Sequence, residues 1–517
     1  MHNKIINVDH HHQSREHQIL DSCANASILQ NCKTYLMGNS KKCRWPFATR
    51  LPWVLLFMFC LSGGFIVLNA QPNTDNAYTK PLTEVLGNIE KKYGVKIKFA
   101  DTMVAGKMVR YADWRYRNDV ETTLDNVLSP LDMKVKKEKD KVYKLSYYEY
   151  YRWPVEEGWA ELDRIAAQYH NRDEWEARKQ ILKPCILEAL QLSPLPASPM
   201  SKPIITVKRK MNGYTIENIA LEILPGVYIN GSLYKPANYK GKIPVVLNPD
   251  GHWDKQRYRP DCQYRCAALA KMGAMAFSYD LFAWGESLLQ FKSEDHRRSL
   301  SMTIQVLGSI RILDYLLSQK DADTNRVAIT GGSGAGTHAV LLTALDNRIK
   351  LSAPVVSLSS YFYGGCPCES GMPIHDCGNR TDNVEIAAMT APRPQLLVTD
   401  GGDWTDKMPL HDFPYLQKIY GYYNQQGKVE NVHLPQETHD FGINKRTAVY
   451  NFLAKHLHLN LKAIGDKSGN IDESQIAIEK EEAMYVFGNK GERLPANAIH
   501  GFEQLEKVFV NATKRKP

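Results

Sequence analysis

No internal repeat and no low-complexity tract is visible in this 517-residue chain, which sets aside repeat architectures and disordered scaffolds. Excess charge is also scarce. The formal net charge is +9, and residues 1–70, with seven Lys/Arg and three acids, hold +4 of it. What remains suits an anionic substrate but falls far short of the dense basic footprint of a nucleic-acid binder. The glycine-rich stretch ITGGSGAGTHAVLLTALD, residues 329–346, contains no lysine, so it is not a Gly-Lys-Ser/Thr phosphate loop. Its glycines at 332, 334 and 336 also miss the G-x-G-x-x-G spacing of a dinucleotide turn. Cysteine is sparse: ten in all, with Cys23, Cys32, Cys43 and Cys60 in the first 70 residues and six beyond. The C-P-C spacing of Cys366 and Cys368 lacks the two intervening residues usual in zinc knuckles. Disulfides or plain structural cysteines are therefore expected, rather than a zinc set of Cys366, Cys368, His375 and Cys377. Nothing in the sequence calls for a metal or a cofactor.

What is present begins with a leader. The basic KKCRWPFATR precedes the apolar LPWVLLFMFCLSGGFIVLNAQ, which is broken by Pro52 and by Gly63–Gly64 and ends at Asn69-Ala70 before Gln71. This reads as a secretory signal peptide over residues 1–70, because the small residues come where a signal ends. The run is also just long enough for a single membrane anchor. The forty residues before it are unusual for a signal, and Met37 is a candidate start. The run His10-His11-His12 lies in that stretch and is not read as a metal site.

Residues 71–148 read as a small α+β unit: a helix and strand in PLTEVLGNIEKKYGVKIKFA, a strand in MVRYADWRYR, a helix in NDVETTLDNVLSPL and a closing hairpin. Residues 150–200 read as helical and end at SPLPASP. An antiparallel meander follows, broken by Asn212-Gly213 and Asn230-Gly231. Beyond Lys235-Pro236, the runs PVVLN, AMAFSYD, RVAIT, LSAPVV, QLLVT and VENVHL alternate with helices. Short buried runs in that rhythm predict an α/β fold, a mostly parallel twisted sheet with helices on both faces, over residues 149–460. Residues 461–517 form a C-terminal extension with one more apolar helix, expected to pack on the core.

Ser333 sits where RVAIT meets a helix, in a small-x-Ser-x-small turn flanked by Gly331 and Ala335. Such a turn holds the nucleophile in a strained backbone conformation and admits only small neighbours. His439, in PQETHDFG after the last strand, stands where an α/β-hydrolase places its base. LLVTDGGDWTD, after the preceding strand, offers Asp400, Asp403 and Asp406 as the acid. Asp403 is preferred because it lies beyond the strand end, and Glu369 in GGCPCESG is the alternative. His433 reads as core, His338 as structural or substrate-facing, and Asp280 as structural. The expected oxyanion donors are the amides of Gly334 and His252, the latter in VVLNPDGHWDKQRY. Trp253 is a candidate sugar platform. Arg257, Arg259, Arg297 and Arg298 are candidate partners for substrate carboxylates, Arg257 and Arg259 first among them.

The motifs DGHW, ALAKMGAMAFSYDLFAWGES, GGSGAGTH, GGCPCESG, NVEIAAMTAPRPQLLVTDGGDWT and ETHDFG together resemble secreted α/β-hydrolase carbohydrate esterases. These include acetyl-xylan-esterase-like enzymes and the α/β-hydrolase pectin methylesterases of gut Bacteroidetes. The resemblance covers roughly residues 150–460. It implies a metal-independent serine esterase of plant cell-wall oligo- or polysaccharide, with Ser333 and His439 in the family's roles and the acid at Asp403 or Glu369. Glucuronoyl esterases resemble Gly-x-Ser-Arg at the nucleophile, whereas Gly334 follows the serine here. Methyl esters of galacturonate in pectin are the expected substrate and acetyl esters of xylan the alternative. Residues 71–148 resemble the short N-terminal domain of secretins and TonB-dependent transducers, and a docking or spacer role follows, with an unknown docking partner. The expected location is the periplasm or cell surface. A non-catalytic glycan-binding module and a peptidase on the same fold are the competing classes.

Overall fold

Strands that are apolar on both faces are stable only where helices cover both sides of the sheet. The computed structural model describes residues 79–109, 112–128, 131, 133–147, 153–362, 366–370 and 374–513, with the side chains of residues 125, 368 and 370 left aside. The leader, its four cysteines and its histidine run lie outside the described residues. Tyr78–Pro517 form one compact unit.

The eight longer strands of the ten-stranded main sheet are β1 (Tyr214–Leu224), β2 (Val227–Pro236), β3 (Ile243–Pro249), β4 (Met275–Tyr279), β5 (Ala322–Gly332), β6 (Leu351–Val355), β7 (Gln395–Asp400) and β8 (Val429–Leu434). Their order is β8-β7-β6-β5-β3-β4-β2-β1, with the short strand Ile204–Ile205 at the β1 edge. β3 to β8 pair in parallel, and β1 and β2 add an antiparallel hairpin against β4. The helices are α1 (Val155–Ala166), α2 (Arg172–Ala189), α3 (Pro260–Lys271), α4 (Ser301–Ser318), α5 (Gly334–Leu345), α6 (Asn383–Ala388), α7 (Asp412–Gly421), α8 (Ile443–Leu457) and α9 (Phe502–Thr513).

The period of two along each strand divides the core. Val245, Leu247, Val327, Ile329 and Leu397 pack on one face with α4, α5 and α7. Val246, Ala328, Leu396 and Val398 point the other way, toward α3 and α8. α9 brings Phe502, Leu505 and Phe509 into the first of these cores, so the C-terminal extension belongs to the fold. Its segment before α9 is also tied in, as the amides of Val486 and Phe487 donate to Glu286 at 2.9 and 2.8 Å. A disulfide joins Cys185 on α2 to Cys377.

Strand order reverses at β3, whose neighbours are β4 on one side and β5 on the other. The carboxyl ends of β3 and β5 therefore border a crevice, the usual place for a ligand in an open α/β sheet. The loops beginning at Asp250 and Ser333 both open there.

Residues 80–147 form a helix (Leu82–Tyr93), a second helix (Val120–Leu128) and a hairpin (Met133–Lys139 with Val142–Tyr147) around a core of their own. The expected strand in MVRYADWRYR reduces to Met108–Val109, followed by a 3-10 turn at Ala112–Arg115. Met108–Val109 pairs with Lys80–Pro81, and further on side-chain bonds hold the chain: Arg115 donates to the Asn126 carbonyl, and the Arg117 amide donates to Thr123 Oγ1.

Asn230-Gly231 also differs from expectation. It lies inside β2, and the hairpin turns at Gly226, whose φ is +75°. Asn230 is consumed by bonds to Asp280 and Glu286 at 2.8 and 2.9 Å. Gly231 is there because β4 passes close by, so that a Cβ would stand 2.1 Å from the Ser278 carbonyl oxygen. Gly231→Ala is expected to destabilise the protein by about 3 kcal/mol, read as a lower denaturant midpoint at unchanged slope.

Candidate active site

β5 ends in Gly331-Gly332, and Ser333 precedes α5 with φ +56° and ψ −131°. This is a costly conformation for a residue with a Cβ. The turn is narrow as well as strained: a Cβ on Gly331 would lie 2.7 Å from that of Ala335, which explains why both flanking residues are small. Ser333 is buried to within a few per cent, yet its Oγ opens on a cavity of about 320 Å³.

His439 and Asp403 reach it from the ends of β8 and β7. Ser333 Oγ lies 3.0 Å from His439 Nε2, and His439 Nδ1 lies 2.7 Å from Asp403 Oδ2. The Asp403 carboxylate is fixed in turn by the Thr405 amide and hydroxyl, both 2.6 Å from Oδ1. In this arrangement Asp403 accepts from Nδ1–H, which leaves the Nε2 lone pair for the serine proton. Glu369, the other candidate acid, does not approach His439. It stands across the cavity, with Oε1 3.3 Å from His252 Nδ1.

The histidine loop is held from below by Lys445 on α8, a fully buried ammonium. It donates to the Thr438 carbonyl and to Asp440, both at 2.7 Å, and pairs with Asp400 and Glu437 at 3.1 Å. The residues on both sides of His439 are thus tied to the end of β7. Asp400 belongs to this anchor, Asp406 accepts from the Tyr361 hydroxyl, and Asp403 alone of the three acids faces the histidine.

Gly334 opens α5, and helix geometry leaves its amide without an intrahelical acceptor. The imidazole of His252 packs directly over it. A Cβ on Gly334 would come within 2.3 Å of His252 Cε1 and 2.9 Å of Glu369 Oε1, so glycine is required for close approach. Besides Ser333, the cavity is walled by His252, His296, Arg297, Glu369, Trp284 and Trp404. Trp404 stacks on Phe362 at 3.9 Å and lies 4.5 Å from the His439 ring.

Several expected substrate contacts go elsewhere. Arg257 is fully buried, where its guanidinium meets Asp280 at 2.9 Å and Glu286 at 3.4 Å. Arg259 is engaged by Asp250 and Asp261 and lies 4.8 Å over the Trp253 ring. These acids claim the two arginines inside the fold, so neither lines the cavity. Trp253 packs beneath the turn, 5.4 Å from His439, and the indoles on the cavity wall are Trp284 and Trp404. Arg298 covers Phe502 and pairs with Glu503, and of the four arginines only Arg297 lines the cavity. Reading the sequence overlooked Trp284, Trp404 and His296. The usable signal was an aromatic residue beside each motif, as in DWTD and FAWGES. His338 bonds Ser309 at 2.7 Å, with burial holding its pKa down at about 4, and His433 bonds Thr399. Both are structural.

Cys366 and Cys377 are in disulfides, and His375 bonds Asn383 at 3.0 Å, so this set offers zinc no thiolate from either sulfur. The same holds for His252, His296 and Cys366, whose donor atoms lie within 4.8 Å of one another. The free thiols Cys262 and Cys266 are buried, and burial raises both above the usual thiol range.

Asp403→Asn preserves the shape of the site but favours the wrong imidazole tautomer. A fall in kcat of about 10³–10⁴-fold is expected, and a loss under tenfold in steady-state ester hydrolysis would remove Asp403 from the triad.

Neither a scan of family models nor a search of curated proteins finds a match. Among solved structures, methylesterase BT1017 is 48% identical with a TM-score of 0.67, over 85% of this chain and 97% of that one. A glucuronoyl esterase from Solibacter usitatus is 16% identical with a TM-score of 0.42, over 55% of this chain and 94% of that one. An acetyl xylan esterase from Paenibacillus sp. R4 is 17% identical with a TM-score of 0.36, over 55% and 93%. The match to methylesterase BT1017 spans nearly all of that protein; this chain therefore belongs with it to one family of α/β-hydrolase esterases, and it is a serine-dependent carboxylic ester hydrolase.

Proposed function

We propose that this esterase removes methyl groups from esterified galacturonate in pectin. The observation that carries the reading is the composition of the cavity at Ser333. Trp284 and Trp404 offer flat apolar faces suited to a pyranose ring, and Arg297 offers a guanidinium suited to the free carboxylates of a partly de-esterified uronate chain. The 48% identity to a methylesterase supports the same ester.

Ser333 Oγ attacks the ester carbonyl as His439 Nε2 takes its proton. The oxygen that becomes negative is received by the amides of Gly334, at the start of α5, and of His252, in the loop after β3. His439 returns the proton to the departing methoxide, which leaves as methanol. Water then enters, gives a proton to His439 and cleaves the acyl-enzyme. One ester and one water become one methanol and one uronic acid, which ionises, and the serine is restored.

Secretion to the periplasm or cell surface is part of the same proposal. Disulfides at Cys185–Cys377 and at Cys366 suit an oxidising compartment. Residues 79–147 line no part of the described cavity, and we assign them a docking or spacer role.

The test is product release by wild type and Ser333→Ala from methyl-esterified pectic oligosaccharides and from acetylated xylan. Serine-dependent methanol is expected. Serine-dependent acetate without methanol would move the assignment to deacetylation.

A further inference from the structure

The wall of the cavity opposite His439 holds a second chain of polar groups that the triad does not use. His296 Nδ1 lies 2.6 Å from the Phe282 carbonyl oxygen, and a carbonyl can only accept, so Nδ1 carries a proton. His296 Nε2 lies 2.7 Å from His252 Nε2, and that gap needs one proton. His252 Nδ1 lies 3.3 Å from Glu369 Oε1, where a bare lone pair facing a carboxylate would be repelled, so that gap needs another. Three gaps take three protons, and two neutral imidazoles provide two. The chain therefore holds one proton more than neutral histidines would bring, and its positive charge balances Glu369.

Burial places that charge. His296 is pushed down to about 4, first by desolvation and then by the charge of His252. His252 is raised above its ordinary 6.5: burial opposes its charge, but the Glu369 carboxylate and its hydrogen bond, helped by Asp250, outweigh burial and the repulsion of Arg297. The other neighbours are Trp284, whose ring meets the imidazole edge-on at 5.8 Å, and the sulfur of Cys366, 3.5 Å from Nε2 and held in a disulfide. The imidazole itself covers Gly334, the first residue after the nucleophile.

We propose that His252 is an imidazolium clamped by Glu369 and His296 at the amino end of α5, and that its charge stabilises the oxyanion formed when Ser333 attacks an ester. Its side chain, only 20% exposed, thus adds a fixed cation to the backbone donors, and burial strengthens the action of such a charge. Glu369 and His296 are positioning residues that keep the extra proton on His252. Glu369 is therefore not a spare triad acid but the counter-ion of an electrostatic group on the opposite wall. The proposal rests on Ser333 as the ester-cleaving nucleophile and holds whichever ester is cleaved.

A histidine with a raised pKa keeps its proton to higher pH than a free imidazole does and loses it as pH rises through that value, so the contribution is present at low pH and lost on the alkaline side. The experiment follows kcat/KM against pH for wild type, His252→Gln and Glu369→Gln, using methanol release. In parallel, the rate of Ser333 labelling by a fluorophosphonate is followed, which needs no glycan. Wild type is expected to show an alkaline limb in both readouts. Glu369→Gln should move that limb to lower pH. His252→Gln, which keeps the backbone amide, should abolish it and lower the plateau about a hundredfold, with labelling still reaching one probe per chain as proof of an intact nucleophile. A limb unmoved in Glu369→Gln, or a His252→Gln rate within about twofold of wild type in both readouts, would overturn the proposal. If wild type releases no methanol but its labelling shows the limb and the shifts, the pectin reading fails and the role of His252 stands.

Discussion

The structure depends most on the backbone conformation of Ser333. A non-glycine residue at φ +56° between a strand and a helix persists only if its surroundings leave no alternative. β5 is gripped by parallel neighbours on both sides, and its end is fixed by the Ser333 amide donating to the Val355 carbonyl at 3.0 Å. α5 is buried along its whole length. The sheet and helix therefore set the strain, and the strain aims Oγ into the crevice.

Around that point the fold uses buried charge as scaffolding. Arg257 joins the loop after β3 to Asp280 at the end of β4 and to Glu286. Lys445 fastens the histidine loop to Asp400 at the end of β7. Arg265 bonds Asn248 and Cys262 and lies 4.3 Å over Phe441, two residues beyond His439. Pairs of this kind add little net stability, since desolvation offsets most of their attraction, but breaking one leaves an uncompensated buried charge. Their evident effect here is to give each loop of the site one position. The cavity wall then divides into two electrostatic sides: a base supported by Asp403, and a cation supported by Glu369.

The order of elements in the hydrolase part was legible because buried parallel strands write a continuous apolar signature. The runs PVVLN, RVAIT, QLLVT and VENVHL all lie within strands of the sheet. Misreadings arose where a local pattern competed with a distant partner. Asn230-Gly231 carries a turn signature but sits in a strand because β4 needs the space of the missing side chain. MVRYADWRYR reads as a strand, but beyond Met108–Val109 its Arg115 and Arg117 bond to the helix Val120–Leu128.

The same division runs through the site. Sequence alone determined that Ser333 lies in a tight turn of small residues, that an acid and a histidine follow it in the order of this fold, and that Asp403 stands just past a strand end. These are local facts, since small neighbours and chain order are written in consecutive residues. Tertiary structure alone decided that Glu369 faces His252 rather than His439, that Arg257 and Arg259 turn inward to meet carboxylates, and that Trp284 and Trp404 wall the cavity. A charged side chain takes the partner that lies within a few ångströms in space. No spacing along the chain says whether a guanidinium will meet a substrate in the cleft or an aspartate at the end of the neighbouring strand.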